Sequence, residues 1–276
     1  MSKKKIRAIV VSGNGTNCEV EMAHACRLGG ADEVDIIHIS RLLHAETSLL
    51  DYDFLNLPGG FLDGDDLGSA KANATRLRYA RTTKGESIFE HILTFINAGK
   101  IILGICNGFQ LLAKLGLVPA SAGAYGTQEV TLTCNDSGKF EDRWVYLKVN
   151  EQSPCIFTRG LSSLYLPVRH GEGKFIPRDA VVLDELKRKN LVAVQYTDKN
   201  GAKPAMEYPL NPNGAIAAVA GICDESGRVF GMMPHPEAYL HFTNHPRWTR
   251  EPVPKEGMGV AIFRNAVEYL KKTVNG

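Results

Sequence analysis

The stretch with the plainest chemical content runs Ile101-Ile102-Leu103-Gly104-Ile105-Cys106-Asn107-Gly108-Phe109-Gln110-Leu111-Leu112. A β-branched apolar run stops at Cys106 and a helix-like pattern starts directly after it. The thiol therefore falls in Gly104-x-Cys106-x-Gly108, the cysteine form of a nucleophile elbow. A sharp strand-to-helix turn leaves no room for Cβ atoms beside the nucleophile, which accounts for both glycines. The same turn sets the sulfur at a helix N-terminus, where the dipole and free N–H groups favour thiolate. This is the pattern of a catalytic cysteine; the alternative is a buried structural cysteine in a parallel strand.

A cysteine nucleophile needs a base, and the base an orienting group. Of eight histidines, His235 in Gly231-Met232-Met233-Pro234-His235-Pro236-Glu237 is the best candidate. Prolines stiffen the backbone on both sides, and an extended i, i+2 pair would point His235 and Glu237 the same way. A turn histidine is the plainer reading, and spacing alone does not bring His235 to Cys106. Pro58-Gly59-Gly60 follows another apolar run and would expose backbone N–H groups of the kind a tetrahedral oxyanion requires, or form an ordinary tight turn. Gly13-Asn14-Gly15-Thr16-Asn17-Cys18 is an incomplete dinucleotide fingerprint, without its third glycine or a closing acid. His241-x-x-x-His245 has metal spacing, but Phe242 stands where a zincin would carry glutamate, and no metal is expected.

Apart from these positions the chain is ordinary. Its 276 residues are 44% hydrophobic and 22% charged, with a net charge of +2, which argues against nucleic-acid or membrane-surface binding. No stretch approaches the roughly 20 apolar residues of a membrane span, and no signal sequence follows Lys3-Lys4-Lys5, so a cytoplasmic protein is expected. Cysteines 18, 26, 106, 134, 155 and 223 include no C-x-x-C pair and read as reduced thiols. The sequons at Asn14, Asn73 and Asn135 carry no meaning in that compartment.

Strands are expected at residues 6–11, 34–39, 52–57 and 101–105, and helices at 18–28, 88–98 and 108–115. This alternation predicts an α/β fold with a doubly wound, mostly parallel central sheet flanked by helices, its active groups at the carboxyl ends of the strands. Residues 130–133, 144–149, 164–168, 191–196 and 216–222 read as added, partly antiparallel strands on the same sheet, and 259–272 as a closing helix. With no linker or repeat, one domain over 1–276 is expected. Residues 61–85 carry an acidic turn and then Arg76, Arg78, Arg81 and Lys84, which suits an exposed charged helix or a surface for an anionic partner. Residues 239–257 read as loop.

Gly104-Ile105-Cys106-Asn107-Gly108-Phe109-Gln110, Pro58-Gly59-Gly60-Phe61, His170-Gly171-Glu172-Gly173, Asn211-Pro212-Asn213-Gly214 and Met233-Pro234-His235-Pro236-Glu237 together resemble the class I glutamine amidotransferases, flavodoxin-like in fold. The nearest branch is the glutaminase subunits of phosphoribosylformylglycinamidine synthases, in purine biosynthesis. The match runs from about Ile6 to Glu237. That resemblance implies a glutaminase component of an ATP-dependent carbon–nitrogen ligase. Cys106 would form a γ-glutamyl thioester with L-glutamine, His235 would act as base and then acid, and Glu237 would orient it. Backbone N–H groups of Gly60 and Asn107 would form the oxyanion hole, and Gln110, His170 and Gly171 would help hold glutamine. No cofactor is implied on this chain. ATP and Mg would belong to a synthetase subunit, which binds formylglycinamide ribonucleotide and receives ammonia through a channel, with a small bridging subunit in some relatives.

Three positions depart from the family pattern. Phe61-Leu62-Asp63-Gly64-Asp65 stands where Phe-Ser-Tyr-Gly-Asp is common, Ala238 where an arginine is common, and residues 239–257 have no counterpart. They touch docking and gating rather than the triad. The alternatives are a glutaminase subunit of another synthetase, a cysteine hydrolase or peptidase on the same fold, and a partner with a vestigial site.

Overall fold

Runs of aliphatic residues too apolar to face water on either side become the central strands of this protein. The computed structural model describes residues 5–121 and 123–274. Lys3 and Lys4 of the basic opening lie outside the described residues, while Lys5 pairs with Glu33 at 2.9 Å. In chain order the elements are β1 (Arg7–Ser12), α1 (Glu19–Leu28), β2 (Glu33–His38), α2 (Ile39–Leu43), β3 (Phe54–Leu57), α3 (Lys71–Tyr79), α4 (Ile88–Asn97), β4 (Ile101–Ile105) and α5 (Asn107–Leu115). There follow β5 (Val130–Thr133), β6 (Glu141–Val149), β7 (Ser163–His170), β8 (Lys174–Pro177), α6 (Ala180–Arg188), β9 (Val192–Thr197), β10 (Val219–Cys223), β11 (Val229–Met232) and α7 (Val260–Val274).

Nine strands form one sheet in the order β2-β1-β3-β4-β11-β10-β9-β6-β7. The pairs from β2 to β11 are parallel and the rest antiparallel. Strands β3, β4 and β11 are buried along their whole length, as strands covered on both faces must be. The order reverses between β1 and β3. Helix α1 packs with α7, and α3 with both α4 and α5, the grouping expected of helices on the two faces of a doubly wound sheet. The turns after β1, β3, β4 and β11 consequently open at one edge of the sheet.

The added strands are placed differently from expectation in one case. Val130–Thr133 does not join the main sheet but pairs antiparallel with β8, a strand the sequence reading passed over. Helix α6, whose N-terminus Asp179 caps by accepting from Val182 N–H at 2.9 Å, and strand β11 were also not foreseen. Within residues 61–85, α3 buries Asn73, Ala74 and Leu77, and its cations are used inside the chain. Arg76 bonds both carboxylate oxygens of Asp63 at 2.8 Å, and Arg78 donates to Leu115 O at 2.8 Å. Residues 239–257 pack through His245, which lies among the rings of Trp144, Tyr165 and Tyr239, and through Arg247, which donates to Tyr165 Oη at 3.1 Å.

Packing under the β4–α5 turn leaves no room for a side chain. A Cβ on Gly104 would stand 2.6 Å from Gly108 O, and one on Gly108 would collide with the carbonyl of Leu57. Gly108→Ala gains up to ~1 kcal/mol of helix propensity but drives a methyl group into backbone that cannot swing aside. A net destabilisation of about 2 kcal/mol is expected. Denaturant unfolding measures it, and an unchanged or raised midpoint would show that α5 can lift off β3.

Candidate active site

Four strand ends converge here: β1 delivers Cys18, β3 delivers Gly59 and Gly60, β4 delivers Cys106 and β11 delivers His235. With the turn after β7, they line a cavity of about 100 Å³. Its wall also includes Asp65, Ser69, Gln110, Arg169, Gly171 and Glu172.

Cys106 adopts φ 52°, ψ −105°, a positive φ uncommon for any residue with a Cβ. The glycines at 104 and 108 let β4, α5 and β3 approach closely enough for so sharp a turn. Its Sγ lies 3.7 Å from Arg169 O and its N–H bonds Met232 O at 2.8 Å, so β11 holds the turn from beneath. His235, three residues beyond that strand, donates its N–H to Pro167 O at 2.8 Å. The backbone at His235 is extended, and Pro236 then opens a single 3₁₀ turn, Pro236–Ala238. It is this bend rather than a continued strand that brings Glu237 Oε1 to 2.6 Å from Nδ1 of His235. Both residues are 2% exposed.

Burial of the His235 ring works against its protonation, yet the imidazole is held well above its ordinary value. The Glu237 carboxylate beside it and the thiols of Cys106 and Cys18 outweigh the loss of water. Nε2 of His235 is buried with no hydrogen-bond partner, as is Oε2 of Glu237. A bonded carboxylate–imidazole pair with a free ring nitrogen, beside a thiol on a strained turn, can take a proton from sulfur and return it to a leaving group.

The remaining positions singled out in the sequence divide. Gly60, at φ 135°, lines the cavity. Asn107 does not line it; its N–H sits at the first position of α5, next to Cys106, where no intrahelical acceptor exists. Its side chain accepts from Leu62 N–H at 3.3 Å and donates to Gln110 Oε1 at 3.1 Å, while Gln110 Nε2 donates to Glu172 O at 2.6 Å. This amide chain ties both walls of the cavity to α5, so Gln110 lines the site with its amide already engaged. His170 is buried, its Nδ1 3.2 Å from Asn135 Oδ1. Burial, with the charge of His235 added, pushes it down to about 3, so it stays neutral. Asn213 lies away from the cavity and acts through a relay: its carbonyl accepts from Asp136 N–H at 3.3 Å, and the adjoining Asn135 donates to His170 O at 2.8 Å.

The glycine turn after β1 braces the one after β3. Phe61 N–H donates to Gly15 O at 2.7 Å and Asn17 N–H to Gly59 O at 3.1 Å, which leaves the Gly60 N–H outside both bonds. A Cβ on Gly15 would collide with Phe61 O and one on Gly13 would stand 2.5 Å from the Leu62 side chain, so both glycines serve close packing of the two turns. Sequence reasoning missed Cys18, Ser69 and Glu172 and gave Asp65 no role. The acidic turn was visible, but nothing local says it folds over Cys106. Nδ1 of His241 lies 2.9 Å from Thr243 Oγ1, and Nδ1 of His245 accepts from Arg247 N–H at 3.2 Å.

Residues 5–270 match the model of the CobB/CobQ-like glutamine amidotransferase domain. The chain is 42% identical over 268 residues to the phosphoribosylformylglycinamidine synthase subunit PurQ of Dehalococcoides mccartyi, covering 97% of this chain and 99% of that one. It is 41% identical over 282 residues to the PurQ subunit of Methanococcus maripaludis, covering 99% and 100%. Among solved structures, a chain of PurLQS from Thermotoga maritima superposes with a TM-score of 0.69 at 30% identity, over 97% of this chain and all of that one.

Proposed function

The chain belongs to the CobB/CobQ-like glutamine amidotransferase family, and from that premise we propose that it is the glutaminase subunit of a phosphoribosylformylglycinamidine synthase. The observation that carries the reading is the 2.6 Å His235–Glu237 pair, whose imidazole shares a cavity with the elbow cysteine. Cys106 sulfur attacks the side-chain amide carbon of L-glutamine while His235 takes the thiol proton. The tetrahedral oxyanion meets the N–H groups of Gly60 and Asn107. His235 passes its proton to the departing nitrogen, ammonia leaves, and a γ-glutamyl thioester remains on Cys106. Water, deprotonated by His235, then attacks the thioester carbon; glutamate departs and the thiol is restored.

Ammonia released in a cavity this small is suited to transfer rather than loss, and its acceptor is a synthetase subunit that binds ATP, Mg and formylglycinamide ribonucleotide, joined in some assemblies by a small bridging subunit. Among the described residues no helix is long and apolar enough to cross a membrane. Free thiols at all six cysteines suit a cytoplasmic enzyme. A peptidase on the same fold is disfavoured by the match of residues 5–270 to the glutamine amidotransferase domain.

Asp65 and Ser69 give the cavity its preference for an amino acid. Oδ1 of Asp65 and Oγ of Ser69 are buried without hydrogen-bond partners, and burial holds the Asp65 carboxyl above its usual range. An arriving α-ammonium supplies the missing cation. Asp65→Asn is expected to raise KM for glutamine about 10-fold or more with a smaller change in kcat, the loss of one charge-assisted hydrogen bond. Equal kinetics in the variant would remove Asp65 from substrate binding. The reading as a whole is tested by glutamate release from glutamine, with and without the synthetase subunit. Release that rises on assembly supports it, and none from a demonstrably assembled complex refutes it.

A further inference from the structure

One thiol in the cavity takes no part in the reaction above. Cys18 ends the β1–α1 turn with its Sγ 3.9 Å from Nδ1 of His235. A Cβ on Gly59 would stand 3.4 Å from that sulfur, 2.8 Å from His235 Cε1 and 3.5 Å from Cys106 Cβ, so only a glycine leaves these groups unseparated. We propose that Cys18, His235 and Glu237 form an inhibitory site for a soft divalent cation of the zinc class.

The donor atoms of these three residues all lie within 4.8 Å of one another. Thiolate, imidazole and carboxylate are the ligand types zinc takes, with bonds of about 2.0–2.3 Å that separate tetrahedral ligands by about 3.3–3.6 Å. The sulfur-to-nitrogen distance of 3.9 Å must close by a few tenths of an ångström. The nitrogen-to-oxygen distance of 2.6 Å must open by somewhat more, as an ion replaces the shared proton. A second observation points to a missing ligand: Oε2 of Glu237 is buried without a partner although its residue is 2% exposed. Two of the three residues, Cys18 and His235, line the cavity that Cys106 also lines. An ion held there takes the orienting carboxylate and the base out of the triad together, and leaves when a chelator removes it.

Cobalt(II) reports such a site by its thiolate charge-transfer absorption. In the full-length chain, titration with cobalt(II) should produce that band in the wild type and in Cys106→Ala, and lose it in Cys18→Ser and Cys18→Ala. In the assembled complex, zinc(II) should inhibit glutaminase activity reversibly with EDTA. Cys18→Ser, with inhibition measured relative to its own zinc-free rate, should raise the half-inhibitory concentration by at least ~10-fold, the loss that even outer partners of a bound metal cause. No thiolate band in the wild type, or equal inhibition of Cys18→Ser, would overturn the proposal. Inhibition rests on the glutaminase reading, but the cobalt titration does not. A complex without glutaminase activity would sink that reading while the band still decided the site.

Discussion

Cys106→Ala in the assembled complex is expected to abolish glutamine-dependent synthesis while ammonia-dependent synthesis continues at the wild-type rate. The thiol is the only atom set of that residue the chemistry uses, and removing a nucleophile in a concerted constellation costs on the order of 10⁴–10⁶ in kcat. The substitution does little else. Alanine bears the same Cβ at φ 52°, so the strain of the turn is unchanged, and the Cys106 N–H still reaches Met232 O. The sulfur's approach to Arg169 O is long, at 3.7 Å, so folding and docking should survive its loss. Assays with each nitrogen source, on one preparation, check this directly. Loss of both activities would mean that Cys106 holds the structure rather than attacks substrate.

Glu237→Gln should lower kcat for glutamine hydrolysis on the order of 10³–10⁴-fold, or about 4–5 kcal/mol, as neutralising the carboxylate of a triad does. The amide is nearly isosteric and Oε1 can still accept from Nδ1, so geometry is kept and only charge is lost. That charge is the chief influence offsetting burial of the His235 ring. Without it the imidazolium gives up its proton at lower pH. Since the working state carries one proton shared between Cys106 and His235, the alkaline limb of the pH–rate profile should move toward acid. An unchanged limb with a large loss of kcat would assign Glu237 a packing role instead.

Cys106, His235 and Glu237 could be picked out as candidates because their signals are local: an apolar run ending in Gly-x-Cys-x-Gly is a turn by its own sterics, and His235 is fenced by two prolines. The parallel half of the sheet was legible through its aliphatic runs. Strand β11 was not, since Val229–Met232 is four residues long and carries Gly231, a residue that weakens any strand reading. The reason for that glycine is tertiary, for the ring of Phe109 on α5 occupies the place of its Cβ. The pairing of β5 with β8 was likewise hidden, because nothing in Val130–Thr133 distinguishes a ribbon from a sheet edge. Cys18 lies 217 residues from His235 in the chain, and only the strand order β1-β3-β4-β11 brings their side chains together. The same order explains why a turn resembling a dinucleotide loop braces the Gly60 turn instead.

The measurement that bears most directly on the central claim is an acid quench of the complex during turnover of glutamine, followed by peptide mass spectrometry. A single γ-glutamyl group should be found on the peptide containing Cys106, labile to hydroxylamine as thioesters are, and none on the peptide containing Cys18. Turnover with no adduct on Cys106, or with the adduct on another residue, would contradict the mechanism.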